Sequence, residues 1–490
     1  MIIKKNQSEI EPYLQDASNF CGSAECVYIP ESEEEISDLL IMLYSKGTPF
    51  TLSGARTSLT GASIPNEGVI ISMEKFDKLI DIDESNKTAT VMPNYTSAQL
   101  EYELKRYGLF YPPNPTEKNS SFGGNISTNA SGSRTFKYGA TRNWVEALEI
   151  LLPQGDYIFI KRNAHFADGF NLDFSTNKRT YKLLLPDLNL PQVKNVAGIF
   201  CKKDMDLIDL FIGSEGTLGI VTKIQLKLIE TPEKLLALLI FFDNEFKMLN
   251  FVDYVRQKSK TNFNVAFHSI NDISARSIEF FDKFSLDLLN SKFKDIPLSA
   301  ISAIWIEQEY SSENEDSIMN SWYSIINKYT SLFDYTWVAL SETEHQKLRD
   351  FRHELPLKVN ELLSRNRIRK IGSDIAVPDN HLHRFYFFLK NELEATKLPY
   401  MNWGHIGNNH FHANLLPQND IQYQRGLIFL NKCLTKAIEL KGTVSGEHGI
   451  GKIKKQHLKM MLGEKAIEDM KIMKKVLDPK LLLNRGNLFD

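Results

Sequence analysis

Two stretches of small polar residues, "SGARTSLTGAS" (53–63) and "FGGNISTNASGSRTFKYG" (122–139), break an otherwise regular alternation of strand-like and helix-like segments. Glycine weakens the interior of a helix or strand, so such runs form turns or shaped loops. Loops of this kind expose backbone N–H groups that can converge on an anion. Thr57, Ser58 and Thr60 add hydroxyls, Gly123 and Gly124 permit close approach, and Asn125 can donate and accept. Neither loop shows GxGxxG after a strand, and neither carries the Walker Lys-Ser/Thr, which argues against the Rossmann and P-loop solutions. Two readings remain: structural turns, or a cradle for a dinucleotide. A third stretch, "FIGSEGTLGIVTKIQLKL" (211–228), runs from a glycine turn into a strand. Agreement among three loops favours the cradle.

The surrounding pattern is α+β. "CVYIP" (26–30) reads as a strand, and Ser32 with Glu35 reads as a capping box. Ile36, Leu39, Leu40 and Leu43 then follow at helical spacing. "TPFTLSG", "GVIISM" (68–73), "KLIDID" (78–83) and "ATVMP" (89–93) read as strands, and "SAQLEYELKRYG" (97–108) as a helix closed by Gly108. Residues 155–200 look like an irregular insertion. "TPE" (231–233) marks a boundary, after which helices alternate with β-like runs such as "LSAISAIWIEQ" (298–308). Near the end, Ile467, Met470, Met473 and Leu477 share one helix face, stopped by Asp478-Pro479.

Composition narrows the function. A net charge of -3 gives no bulk attraction to nucleic acid or anionic membrane. Four cysteines without a second Cys or His pair imply a reduced, cytoplasmic protein. The start, "MIIKKNQSEIEPYLQD", has no apolar h-region, and the longest apolar run, "LLALLIFF" (235–242), is too short to span a bilayer.

Chemistry concentrates late in the chain. "GTVSGEHGIGK" (442–452) sets Glu447 beside His448 among four glycines, so both can approach a ligand closely. "GHIGNNHFH" (404–412) holds His405, His410 and His412. In a strand-turn-strand, His405 and His412 can face one site, while His410 and His412 share a strand face, so His410 is a rival ligand. Three N/O donors suit a catalytic divalent metal, though histidines satisfied within the fold give the same pattern.

"SGARTSLTGASIP", "PPNPTEKNSSFGGNISTNASGSRTFKYGATRNWVEALEILLP", "LFIGSEGTLGIVT", "GHIGNNHFH", "SGEHGIGKIKK" and "LDPKLLLNRG" occur in the order found in FAD-linked 2-hydroxy-acid dehydrogenases. The chain resembles this vanillyl-alcohol-oxidase-like family, which includes D-lactate, glycolate and D-2-hydroxyglutarate dehydrogenases. The resemblance implies a two-subdomain FAD-binding domain of PCMH type (1–231), an α+β substrate or cap domain (232–440) and a C-terminal helical segment (441–490). It implies FAD contacts at Gly54, Ala55, Arg56, Thr57, Ser58, Thr60, Gly61, Pro115, Gly123, Gly124, Asn125, Ser127, Thr128, Gly132, Gly139, Glu215, Gly216, Ile220 and Asn484. Arg56 stands where many members have glycine, Arg485 where proline is usual, and Asn408-Asn409-His410 where Asp-Gly-Asn is usual. No histidine occurs in 53–63, so non-covalent FAD is expected.

The resemblance further implies His405, His412 and Glu447 as ligands of a divalent metal, Zn or Mn, and His448 as catalytic base. Arg352, in "LRDFRHELP" (348–356), matches a substrate-carboxylate arginine, with Arg349 as neighbour and Lys370 as second candidate. The expected reaction oxidises a D-2-hydroxy acid, with a quinone, cytochrome or electron-transfer flavoprotein as acceptor. Location in the cytoplasm, or peripherally at the inner membrane, and a homodimer are compatible with it. Two rivals are a flavin-dependent sugar-alcohol or aldonolactone oxidase and a non-catalytic flavoprotein subunit of a complex.

Overall fold

The computed structural model describes residues 1–366 and 370–490. In the first sheet, Cys26–Ile29, Val69–Ser72 and Phe50–Ser53 lie side by side in parallel, with Ile2–Lys4 antiparallel at the edge. Parallel strands need a crossover, supplied by the helix Glu33–Lys46. Its Ile36, Leu39, Leu40 and Leu43 are buried against Phe50, Val69 and Ile71, as their spacing predicts. The Ser32 hydroxyl caps this helix by accepting from Glu35 N–H at 3.3 Å. The reciprocal half of the capping box does not form: the Glu35 carboxylate accepts from Glu31 N–H and the N-terminal ammonium instead.

The second sheet is antiparallel, in the order Leu79–Asp83, Thr88–Val91, Ile220–Lys227, Val145–Leu151, Tyr157–Lys161. Alternate residues of Ile220–Lys227 are buried, as expected for a strand with one covered face. The expectation of an irregular insertion at 155–200 is corrected here. Tyr157–Lys161 completes this sheet, and Asn171–Ser175 pairs with Thr180–Leu184 in a hairpin. The hairpin buries Leu172, Phe174, Tyr181 and Leu183 at every second position. The alternation of polar and apolar residues in NLDFS and TYKLL is the period of a strand with one wet face, so the signal was present in the sequence.

The third sheet runs Trp337–Ala339, Lys234–Phe242, Ser302–Tyr310, Ala275–Asp282, Tyr400–Gly404, His410–Leu415, Ile371–Gly372, with Ile375–Ala376 also pairing His410–Leu415. Both faces of its centre are covered. Ile304 and Ile306 join the core of the helices Glu245–Asn262 and Glu315–Tyr329. Ala303 and Trp305 join Leu286, Phe351 and Leu355 on the other face. The chain then returns: after the helix Lys455–Leu477, kinked at Gly463, Leu482 and Leu483 pack into the core of the first sheet. Met470, Met473 and Leu477 are its buried face, with Ile467 partly covered.

Candidate active site

The glycine-rich loops and the Glu-His loop meet. Thr60 C=O accepts from Lys452 N–H at 2.9 Å, and a Cβ on Gly451 would lie 2.3 Å from that oxygen. A Cβ on Gly54 would lie 2.8 Å from Ser121 Oγ, at the start of the helix Phe122–Thr128. The loop 53–61 is therefore wedged between the other two, and only small residues fit. Ser58 Oγ accepts from the N–H groups of Thr60 and Ala62, shaping the turn, and Gly61 has φ +72°. Arg56 takes φ +56°, the region that favours glycine, and stacks its guanidinium 4.8 Å from the Tyr13 ring centroid. That contact accounts for a side chain at a backbone position made for glycine.

The other residues expected at FAD divide into lining and scaffolding. Gly132 crosses the backbone at Asn114, whose carbonyl would lie 1.9 Å from an added Cβ, next to buried Pro115. Gly123 packs on Pro93, whereas a Cβ on Gly124 would meet only Ser121 Oγ, at 3.3 Å. Ser127 and Thr128 donate back to the carbonyls of Gly123 and Gly124. Asn125 donates to Ser97 Oγ within the core. Gly139 caps a short helix at φ +75°. Ile220 is fully buried in the first-sheet core. Asn484 Oδ1 accepts from Leu52 N–H, and its Nδ2 donates to the carbonyls of Glu215 and Gly216, which ties the C-terminal segment to two loops. The Glu215 carboxylate accepts from the N–H groups of Ile450 and Gly451 at 2.6 Å each, so it pins the Glu-His loop. Burial raises the Glu215 pKa, and those two bonds oppose the rise.

These loops fit a large polar ligand. Buried oxygens of Ser63, Asn94, Ser120 and Ser131 have no hydrogen-bond partner among the described residues. Buried polar groups are rarely orphaned, and here they cluster along the same loops.

The second half of the site is a knot of histidines. Tyr400–Gly404 and His410–Leu415 form adjacent strands joined by a tight turn. Arg256 holds that turn, donating to the carbonyls of Ile406 and Gly407 and to the Asn409 side chain. His405, His410, His412 and Glu447 place one donor atom each within 4.8 Å of the others. Glu447 lies 3.2 Å from His405 Nε2 and 3.0 Å from His412 Nε2. Lys194 Nζ also reaches Glu447, at 2.6 Å. Against the effect of burial, Lys194 and His405 hold the Glu447 carboxyl well below its usual pKa. Burial lowers the His405 pKa, but the Glu279 carboxylate at 2.7 Å more than offsets it. Two imidazoles and a carboxylate, with a third imidazole adjoining, make a donor set that could hold a divalent cation.

Asp374 organises the Glu-His loop. It accepts from the N–H groups of Glu447 and His448, from Ser445 Oγ, from Lys454 Nζ and from His410 Nε2. His448 stands with Nδ1 3.4 Å from Asp374 and Nε2 3.7 Å from Glu447, its ring stacked 5.2 Å from that of His412. Burial pushes its pKa down to about 4, against the pull of Asp374.

Arg352 is buried, and its Nε donates to Glu279 at 3.0 Å, one carboxylate away from His405. Lys370 is exposed, 5.8 Å from the Trp403 ring, which itself neighbours His412. Arg349 turns outward to Glu342 and Gln346 and does not join the site. Sequence reasoning missed Lys194, Glu279 and the ordering role of Asp374. A carboxylate inside the apolar strand "ARSIEFFD" was the available signal for Glu279; nothing marks Lys194. An open cavity of about 520 Å³ is lined by Asp253, Arg256, Lys260 and Asp379 among others and shares no residue with the histidine knot.

The FAD binding domain family matches residues 24–161, and the FAD linked oxidases C-terminal domain family matches 261–488. Glycolate oxidase subunit GlcD of Bacillus subtilis (strain 168) is 30% identical, covering 97% of this chain and 92% of the relative. D-lactate dehydrogenase of Anaerostipes hadrus is 26% identical over 98% of this chain and 92% of its own. D-2-hydroxyglutarate dehydrogenase of Stutzerimonas stutzeri (strain A1501) is 25% identical over 96% and 92%. An alkyldihydroxyacetonephosphate synthase structure superposes with a TM-score of 0.69 at 15% identity, covering 98% of this chain and 81% of that one, which shows a shared fold. With both halves matched and the loops assembled as described, the chain belongs to the FAD-linked 2-hydroxy-acid dehydrogenase family and is an oxidoreductase of its FAD-binding, α+β type.

Proposed function

We propose that the protein oxidises a D-2-hydroxy acid, of the D-lactate or D-2-hydroxyglutarate kind, to the 2-oxo acid. Residues 1–231 would form the flavin half, 232–440 the substrate-facing half, and 441–490 the segment returning to the site. The observation that carries the reading is the junction itself. The loops with orphaned buried oxygens abut, through Thr60 and Gly451, the loop that presents His448 and Glu447 to the histidine knot.

FAD, held without a covalent bond by the loops 53–61 and 115–139, supplies the hydride acceptor, and a divalent metal on His405, His412 and Glu447 supplies a Lewis acid for the substrate oxygen. The chain does the rest. Burial disfavours the charged form of the His448 ring, and its Nε2 faces the knot, so that atom takes the hydroxyl proton. Asp374 holds the ring from the Nδ1 side. Arg352 pairs with the substrate carboxylate through its terminal nitrogens, while Nε stays on Glu279 and the guanidinium lies 5.5 Å from the Trp305 ring centroid. Lys370 is the second cation in reach. Electrons then pass to a quinone, cytochrome or electron-transfer flavoprotein. Among the described residues, no helix is long and apolar enough to cross a membrane.

The test is anaerobic mixing of purified protein with D- and L-lactate, glycolate and D-2-hydroxyglutarate. Bleaching of the flavin band by one D-acid, with turnover on an artificial acceptor, is expected. Flavin that none of these acids reduces would sink the reading.

A further inference from the structure

The His410 ring is completely buried, and its Nδ1 atom has no hydrogen-bond partner among the described residues. The other ring nitrogen, Nε2, lies 2.8 Å from the Asp374 carboxylate, which accepts a hydrogen bond from its N–H. That bond selects the tautomer and leaves a lone pair on Nδ1. The lone pair is directed into the knot: Nδ1 is 4.0 Å from Glu447 Oε2, and the His410 ring lies 4.4 Å from that of His412 and 5.4 Å from that of His405. His405 is arranged in the same way, with Nδ1 on Glu279 and Nε2 facing Glu447. An imidazole oriented by a carboxylate is the usual preparation of a metal ligand. Local packing serves the same placement. His410 and His412 share a face of one strand, and Gly446 makes room for the ring, since a Cβ there would lie 2.6 Å from His410 Nε2.

We infer that His410 binds the divalent metal through Nδ1, giving a centre of three imidazoles and one carboxylate rather than two and one. The inference rests on the reading that this cluster holds a metal at all. Its consequence is selectivity. A third imidazole favours Zn²⁺ and Co²⁺ over Mn²⁺ and Mg²⁺, which prefer oxygen donors. It also fills one more position, so a substrate oxygen must enter by raising the coordination number.

The test uses the flavin-loaded protein and needs no turnover. Metal-stripped wild type is titrated with Co²⁺, its visible bands are recorded, and Zn²⁺ affinity is measured by chelator competition. His410→Gln and His412→Gln are compared with it. The expected result is a loss of roughly tenfold or more in Zn²⁺ affinity for both variants, with weakened cobalt bands and unchanged FAD content. X-ray absorption on the zinc-loaded wild type counts imidazoles without any variant, and should find three. Two imidazoles, or a His410→Gln variant with wild-type affinity and spectrum, would overturn the inference and leave the metal reading standing. A wild type that takes up neither ion overturns both.

Discussion

Lys194 is the residue whose importance is least visible in the chain. It lies in the loop after the hairpin, yet its side chain is only 2% exposed and its ammonium touches Glu447. Without a metal, that ammonium supplies the positive charge Glu447 needs; with one, the two cations compete. Breaking a buried ion pair costs about 3–5 kcal/mol, because a charge is left unpaired. Lys194→Met should therefore lower the melting temperature of metal-free protein clearly, lose much less with Zn²⁺ present, and take up Zn²⁺ more tightly. Melts with and without the ion decide this, and an equal loss in both would reduce Lys194 to packing. Arg352 gives a second prediction at this scale. Arg352→Met should cut kcat/KM by about 2–4 kcal/mol, the cost of a lost charged hydrogen bond in a desolvated site, with FAD retained. Near-normal kinetics would move the role to Lys370. The site histidines were legible because motif spacing carried them, whereas Lys194 and Glu279 act through contacts with residues far off in the sequence, Glu447 for the one and Arg352 and His405 for the other.

Elements were legible where one face is wet. The helix Glu33–Lys46 and the strand Ile220–Lys227 show their periods plainly, and both fold as read. The strands Ala275–Asp282 and Ser302–Tyr310 are buried on both faces, yet carry Arg276, Glu279, Glu307 and Glu309. Periodicity cannot tell such charges from surface ones; only their pairing across the sheet does, as between Arg276 and Glu307 at 2.8 Å. Asp282, where the first of these strands passes into the helix Lys283–Leu289, yields a pH prediction. Its carboxyl caps the helix by accepting from Ser285 N–H, while Oδ2 is buried with no partner among the described residues. Burial pushes its pKa up to about 7. Between the unfolded value, 3.8, and about 7 the folded protein binds more protons than the unfolded chain. Stability from this group therefore falls as pH rises through that window. Asn caps as well as Asp and carries no charge. Asp282→Asn should melt close to wild type near pH ~4 and above it by roughly 2–4 °C at pH ~8, on a transition free of aggregation. A gap that is constant with pH would exclude the titration.

At the scale of the molecule, three sheets and a returning tail converge on one junction, so ligand occupancy and global stability are coupled. The Leu482–Leu483 pair sits in the first-sheet core, Asn484 bridges to Glu215, and Glu215 holds the loop of His448. The order of the motifs announced this convergence; the contacts that enforce it join residues more than two hundred positions apart, which no local pattern reveals. A ligand bound only by the folded state adds RT ln(1 + [L]/Kd), about 4 kcal/mol at a thousandfold excess over Kd. Acid precipitation should release the flavin into a yellow supernatant; flavin that stays with the pellet would contradict non-covalent binding. Gly124→Val separates loss of FAD from loss of fold. Gly124 is exposed, and a Cβ there meets only Ser121 Oγ, whereas one on Gly132 would strike the Asn114 carbonyl. The branched side chain can thus be accommodated by the protein but would occupy the open face that the loops offer a ligand. The variant should be purified colourless, with the circular dichroism of wild type and the melting temperature of wild type stripped of FAD, and added FAD should raise its melting temperature little. Normal flavin content in Gly124→Val would show that the cofactor does not lie against this helix start, and the lining would have to be sought along the 53–61 loop alone.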